Sequence, residues 1–169
     1  GERALAMHAR GLGTESPSMA VVVQPMVPAD KAGIAVLLTE SAEILIEATF
    51  GLGEPIISGA VEPDRYVIDA SNARARSITI GRKQIVLPAD THGRHTFAPL
   101  DQQWARVLSD IELGQIGEVC SRVAASFSGA HEIEWVIDDL GIAILQARSV
   151  DTRHDDPVPS DHRLLTGIG

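Results

Sequence analysis

A chain of 169 residues with 44% apolar content is long enough to bury a core, as about one domain. Its net charge of −9, with no Lys/Arg cluster to offset it, argues against a nucleic-acid surface, and no apolar run is long enough to span a bilayer. Its one cysteine, Cys120, excludes a disulfide framework and a thiolate metal site. No basic segment followed by an apolar one opens the chain, so a cytoplasmic protein is the expectation.

Residues 1–18 begin with a helical-looking run and end in a Gly-, Ser- and Pro-rich link. Residues 19–27 are apolar and β-branched, which predicts a strand buried on both faces, stopped or kept to an edge by Pro25 and Pro28. Residues 33–38 and 44–47 read as two more strands, joined by the polar turn Thr39, Glu40 and Ser41. Gly51-Leu52-Gly53-Glu54 then interrupts the pattern, and Pro55 suits the first turn of a short helix. Further strands are expected at 65–68, 77–80 and 84–87, the last two joined around Gly81 and Arg82. Residues 91–96 form a polar loop. Its pair His92 and His95, without a third ligand, is expected to be solvated rather than metal-binding.

Asp101 is the expected N-cap of one long helix over residues 101–127. Trp104, Leu108, Ile111, Val119, Val123 and Phe127 keep approximately to one stripe, and Cys120 in that stripe reads as a small buried residue. Gly114 and Gly117 weaken the middle of this helix. From residue 151 the chain turns polar and Pro-rich, a linker, and residues 164–169 resume an apolar pattern. The whole reads as an α+β unit of strands, one long helix and a closing hairpin.

That hairpin carries the chemistry. Residues 132–138 and 142–148 both alternate with period 2, and Asp139, Leu140 and Gly141 supply turn residues between them. A three-residue loop sets Asp138 against Ile142, Val136 against Ile144, Glu134 against Gln146 and Glu132 against Arg148. A two-residue loop sets Glu134 against Leu145 and mixes polar with apolar, so the pattern selects the first register. Trp135 then faces the core. Two carboxylates, an amide and a guanidinium share one patch: oxygen ligands for a hard cation beside a fork for phosphate. A solvated outer face with an ordinary Glu132–Arg148 ion pair fits the pattern too, and the spacing alone leaves both readings open.

Several stretches together resemble the nucleotide-binding domain of the phosphoenolpyruvate synthase and pyruvate phosphate dikinase family, which the rifampicin phosphotransferases share. They are Val21-Val22-Val23-Gln24-Pro25-Met26-Val27, then residues 46–59 around Phe50-Gly51-Leu52-Gly53-Glu54-Pro55, then Pro63-Asp64-Arg65-Tyr66, and finally Glu132-Ile133-Glu134-Trp135 with Leu145-Gln146-Ala147-Arg148. The resemblance implies an ATP-grasp fold, in which ATP lies between two α+β subdomains. Residues 19–150 look like the second, C-terminal one, with 151–169 a linker running into a truncated phosphohistidine domain.

By similarity, Gln24 and the backbone of Met26 and Val27 form the hinge that bonds adenine, and Glu54 lies near the nucleotide phosphates. Glu134 and Gln146 ligate Mg²⁺ with Glu132 beside them, and Arg148 contacts the transferred phosphate. The implied reaction passes a phosphoryl group from ATP to a His on a mobile domain and then to pyruvate. The alternatives are a rifamycin-like or phenolic acceptor, or a non-catalytic nucleotide-binding module. The pattern departs from the family where residues 37–41 contract a loop, where Glu132 replaces the usual Asp, and where Ser149 replaces Pro. The family's first ATP-grasp subdomain, with its ATP-binding Lys and Arg, and its phosphoacceptor His have no counterpart here; both are expected as partners on the same or another chain.

Overall fold

The structure is a computed structural model that describes residues 21–38, 41–90, 93–127 and 130–150. Its strands are β1 (Lys31–Leu38), β2 (Glu43–Phe50), β3 (Asp64–Asp69), β4 (Ala75–Thr79), β5 (Ile85–Val86), β6 (Thr96–Phe97), β7 (Ala130–Asp138) and β8 (Gly141–Val150). Its helices are α1 (Glu54–Ile57), α2 (Leu100–Gln103) and α3 (Asp110–Ser126). Six strands form one sheet in the order β4-β3-β2-β1-β7-β8, with every neighbouring pair antiparallel. β5 and β6 make a separate small ladder. The class is α+β with a mostly antiparallel sheet. No helix among the described residues is long and apolar enough to cross a membrane.

Alternation along the strands divides the core in two. On one face, Ala35 and Leu37 of β1 and Ile133, Trp135 and Ile137 of β7 pack under Leu113, Ile116, Cys120 and Val123 of α3. On the other, Ile34 and Val36 meet Ile56 of α1 and Val61. Trp135 and Cys120 are therefore core residues, as the sequence predicts. Trp135 has room only because residue 33 is Gly: a Cβ there would stand 2.4 Å from the indole and 2.1 Å from the Glu47 carbonyl.

The expected long helix is two helices with a break between them. Asp101 lies in the single turn α2, and α3 starts at Asp110 behind Ser109. A capping box makes that start: the Glu112 N–H donates to Ser109 Oγ, and the Ser109 N–H donates to Glu112 Oε2 at 2.7 Å. Lys31 of β1 donates to the other oxygen, Glu112 Oε1, at 2.6 Å. Just upstream, the N–H groups of Val107 and Leu108 donate to Asp64 Oδ2 and the Tyr66 hydroxyl, so they cannot join a helical ladder. The buried stripe accordingly runs through Leu113, Ile116, Cys120 and Val123, while Trp104, Ile111 and Phe127 are exposed. Ser109→Ala is expected to lower stability by about 1 kcal/mol, read as a shifted denaturation midpoint at unchanged slope.

Three further expectations are corrected. Residues 21–27 form no strand, and Val21, Val22, Val23 and Met26 are 74–93% exposed, since the six-stranded sheet is complete without them. β4 and β5 are not partners: β4 pairs with β3, and the Gly81 N–H is drawn to Asp64 instead. The polar loop at 91–96 ends in β6. Residues 1–20 and 151–169, with the expected links and the truncated domain start, lie outside the described residues, as do Thr39, Glu40 and His92.

Candidate functional site

The β7–β8 hairpin reaches the expected pairing by an unexpected route. Its loop is two residues, Asp139 and Leu140, closed by Asp138 Oδ1, which accepts from the N–H groups of Leu140 and Gly141 at 2.8 and 3.1 Å. Gly141 takes φ 121°, a conformation suited to glycine. The pairs Ile137–Ile142, Val136–Ala143 and Trp135–Ile144 follow in the two-residue register. A bulge between Glu134 and Trp135 then leaves Leu145 as the extra residue, and the ladder resumes as Glu134–Gln146 and Glu132–Arg148. The bulge supplies the one-residue offset assigned to the loop. It keeps Ile144 over the helix-side core and returns Gln146 to the polar face.

Glu132, Glu134, Gln146 and Arg148 thus share one patch on the face opposite α3. Glu132 is 5% exposed, and its Oε1 accepts from Arg148 Nε at 2.7 Å and Nη2 at 2.5 Å. The ordinary ion pair therefore exists. Glu134 is what it does not account for: this half-buried carboxylate makes no hydrogen bond or ion pair among the described residues. Burial first, and the Glu132 carboxylate second, push its carboxyl above the usual range, with Arg148 pulling the other way. One guanidinium faces two carboxylates, so the patch carries uncompensated negative charge.

An acid whose pKa is raised on folding favours the fold below its ordinary pKa and loses that contribution as pH rises through the shifted value. Glu134→Gln is therefore expected to melt higher than the wild type at neutral pH. The difference should shrink towards zero as pH falls to the ordinary Glu range. Thermal melts of both proteins across that window check this, and a pH-independent difference refutes the assignment.

The Gly-rich turn lies over the same face. Gly51 has φ +73°, and its missing Cβ would stand 2.6 Å from the Leu87 carbonyl. Leu52 packs in one apolar cluster with Val27, Ala29, Ala32, Val136 and Ala143. Val27, Leu52 and the hairpin therefore meet at a point two residues along β7 from Glu134. Glu54 sits in the first turn of α1, half exposed, with His95 Nε2 2.9 Å from its Oε2. Gln24 and Met26 are exposed, and the Val27 carbonyl accepts from the Ala29 N–H.

Chain pattern alone did not single out His95 as a partner of Glu54, since nothing in spacing links residues 41 apart. Nor did it single out the buried Asp64–Lys83 pair behind the sheet. No group of three or more His, Cys, Asp or Glu side chains able to hold a metal occurs among the described residues. The patch itself offers two carboxylates and an amide oxygen.

Comparison with known proteins shows the family of the chain. Residues 2–164 match the family model described as pyruvate phosphate dikinase, AMP/ATP-binding domain. A probable phosphoenolpyruvate synthase of Methanothermobacter thermautotrophicus is 34% identical over 160 residues, which cover 89% of this chain and 23% of that protein. A rifampicin phosphotransferase of a Streptomyces species is 33% identical, covering 99% of this chain and 20% of its own. The prodigiosin synthesizing transferase PigC of Serratia marcescens is 31% identical, covering 90% and 18%. The chain spans about a fifth of the length of these relatives.

Proposed function

Because this chain belongs to the pyruvate phosphate dikinase AMP/ATP-binding domain family, we propose that residues 19–150 are the second, C-terminal subdomain of an ATP-grasp fold within a larger, soluble cytoplasmic phosphotransferase. Residues 1–18 would link it to the first subdomain and 151–169 would lead into a phosphohistidine domain. The observation that carries this reading is the apolar cluster of Val27, Leu52 and Val136. It sets Val27, the last of the adenine-hinge candidates Gln24, Met26 and Val27, against the Gly-rich turn and the polar hairpin on one sheet face. The exposed Val21, Val22, Val23 and Met26 are then the surface that the first subdomain covers.

Mg²⁺ fits the patch by donor chemistry. It usually takes one or two carboxylates, with water and substrate phosphates completing its shell, and Glu134 is a half-buried carboxylate with no hydrogen bond among the described residues. Glu134 and Gln146 would hold the ion, with Glu132 beside them; when bound, it supplies positive charge against the phosphates. Arg148 spends two N–H donors on Glu132 and keeps others for the transferred phosphate. Glu132 holds that guanidinium in place, and Glu54 borders the phosphates from the Gly-rich turn. Phosphoryl transfer needs positioning and charge neutralisation more than covalent help, and this set supplies both.

The phosphoryl group would pass from ATP to a His outside the described residues and then to an acceptor. Pyruvate is the acceptor we propose; the near-equal identity of the rifampicin phosphotransferase keeps a rifamycin as the alternative. Calorimetric titration of this chain with a non-hydrolysable ATP analogue, with and without Mg²⁺, tests the reading. Mg²⁺-dependent binding supports it. Absence of binding both here and in a longer protein carrying the upstream segment overturns it.

A further inference from the structure

The Gly-rich turn is anchored to its surroundings through the backbone. The Gly51 N–H donates to the Asp30 carbonyl at 2.7 Å and the Leu52 N–H to the Leu87 carbonyl at 2.8 Å. α1 beyond it is four residues long with no side-chain cap, too short to hold its own shape. Nothing in the turn itself fixes where the Glu54 carboxylate points.

His95 does. It reaches from beside β6, and its Nε2 lies 2.9 Å from Glu54 Oε2. An ionised carboxylate has no proton to give, so the Nε2–H donates. With 37% and 54% of the two side chains exposed, the pair contributes little to stability. Its consequence is positional. A free carboxylate above a face that binds a polyphosphate adds like-charge repulsion, whereas one held by an N–H donor is turned aside and its charge partly met.

We infer that His95 is a positioning residue of the nucleotide site, acting through Glu54. This rests on the nucleotide-binding reading above.

The experiment measures dissociation constants of a non-hydrolysable ATP analogue with Mg²⁺ in the full-length protein carrying this chain, by calorimetry. His95→Ala is expected to weaken binding about fivefold, the scale of one exposed charge-assisted contact. His95→Gln, which keeps an N–H donor, should restore most of it. In a Glu54→Gln background, His95→Ala should have no further effect, and melting temperatures should hardly move. Unchanged binding in His95→Ala, or an equal loss in both backgrounds, overturns the inference. Wild-type binding that is lost in Glu134→Ala but indifferent to His95 overturns this inference alone. A wild type that does not bind overturns the nucleotide-site reading with it.

Discussion

Glu134→Ala and Gln146→Ala are each expected to reduce Mg²⁺-dependent ATP turnover by the full-length protein on the order of 100-fold or more, while the fold persists. Glu134 is not part of the Glu132–Arg148 pair and bonds nothing among the described residues, so its removal breaks no structural contact. It also removes a carboxylate whose ionisation burial and the Glu132 charge both oppose. A loss of activity accompanied by unchanged or higher melting temperature is the signature of a group placed for a ligand at a cost to the fold. A plain surface ion-pair face predicts the opposite pattern: effects on stability of no more than about 1 kcal/mol and none on ATP use. Full turnover in both variants refutes the metal-patch assignment. Because a proton competes with the metal for this carboxylate, Mg²⁺ affinity should also fall as pH drops through the raised Glu134 value.

How much of this was legible in the chain depended on whether the signal was local. The strands β1, β2, β3 and β8 follow from apolar periodicity, and α1 from Pro55 after the Gly-rich turn. The site pairing was legible because a polar face repeating every second residue can satisfy only one register. The bulge at Leu145 was not, since an offset taken in the loop and one taken in the ladder give the same distal pairs. Residues 21–27 misled because composition says a segment is apolar without saying which body buries it. The long helix failed for a different reason. Its start lies at the Ser109–Glu112 box and not at Asp101, and the break before it is imposed by Asp64 and Tyr66 from more than 40 residues away.

That same distant network makes Asp64→Ala the substitution with the largest expected cost in stability. Asp64 and Lys83 are both 0% exposed and form an ion pair behind the sheet, and Lys83 Nζ also donates to the Gly81 carbonyl at 2.8 Å. Asp64 accepts in addition from the N–H groups of Gly81 and Val107 and from the Tyr66 hydroxyl, at 3.0, 2.8 and 3.0 Å. Burial pushes that hydroxyl's pKa up to about 12, so it stays a donor across the working range. Losing the carboxylate leaves a buried ammonium without its counter-charge and frees the segment that launches α3, an expected loss of about 3–5 kcal/mol. Lys83→Met should cost less, because three donors remain on the Asp64 carboxylate. The asymmetry sharpens in a double-mutant cycle: Asp64→Leu with Lys83→Met should be more stable than Asp64→Leu alone, since the second change removes the stranded charge. It should still fall below the wild type, because the Val107 and Gly81 N–H groups stay unsatisfied. Urea unfolding of the wild type, Asp64→Ala and the three variants of the cycle measures all of these terms. Additive losses, or an Asp64→Ala cost under about 1 kcal/mol, contradict the view that this pair holds the α3 end of the domain in place.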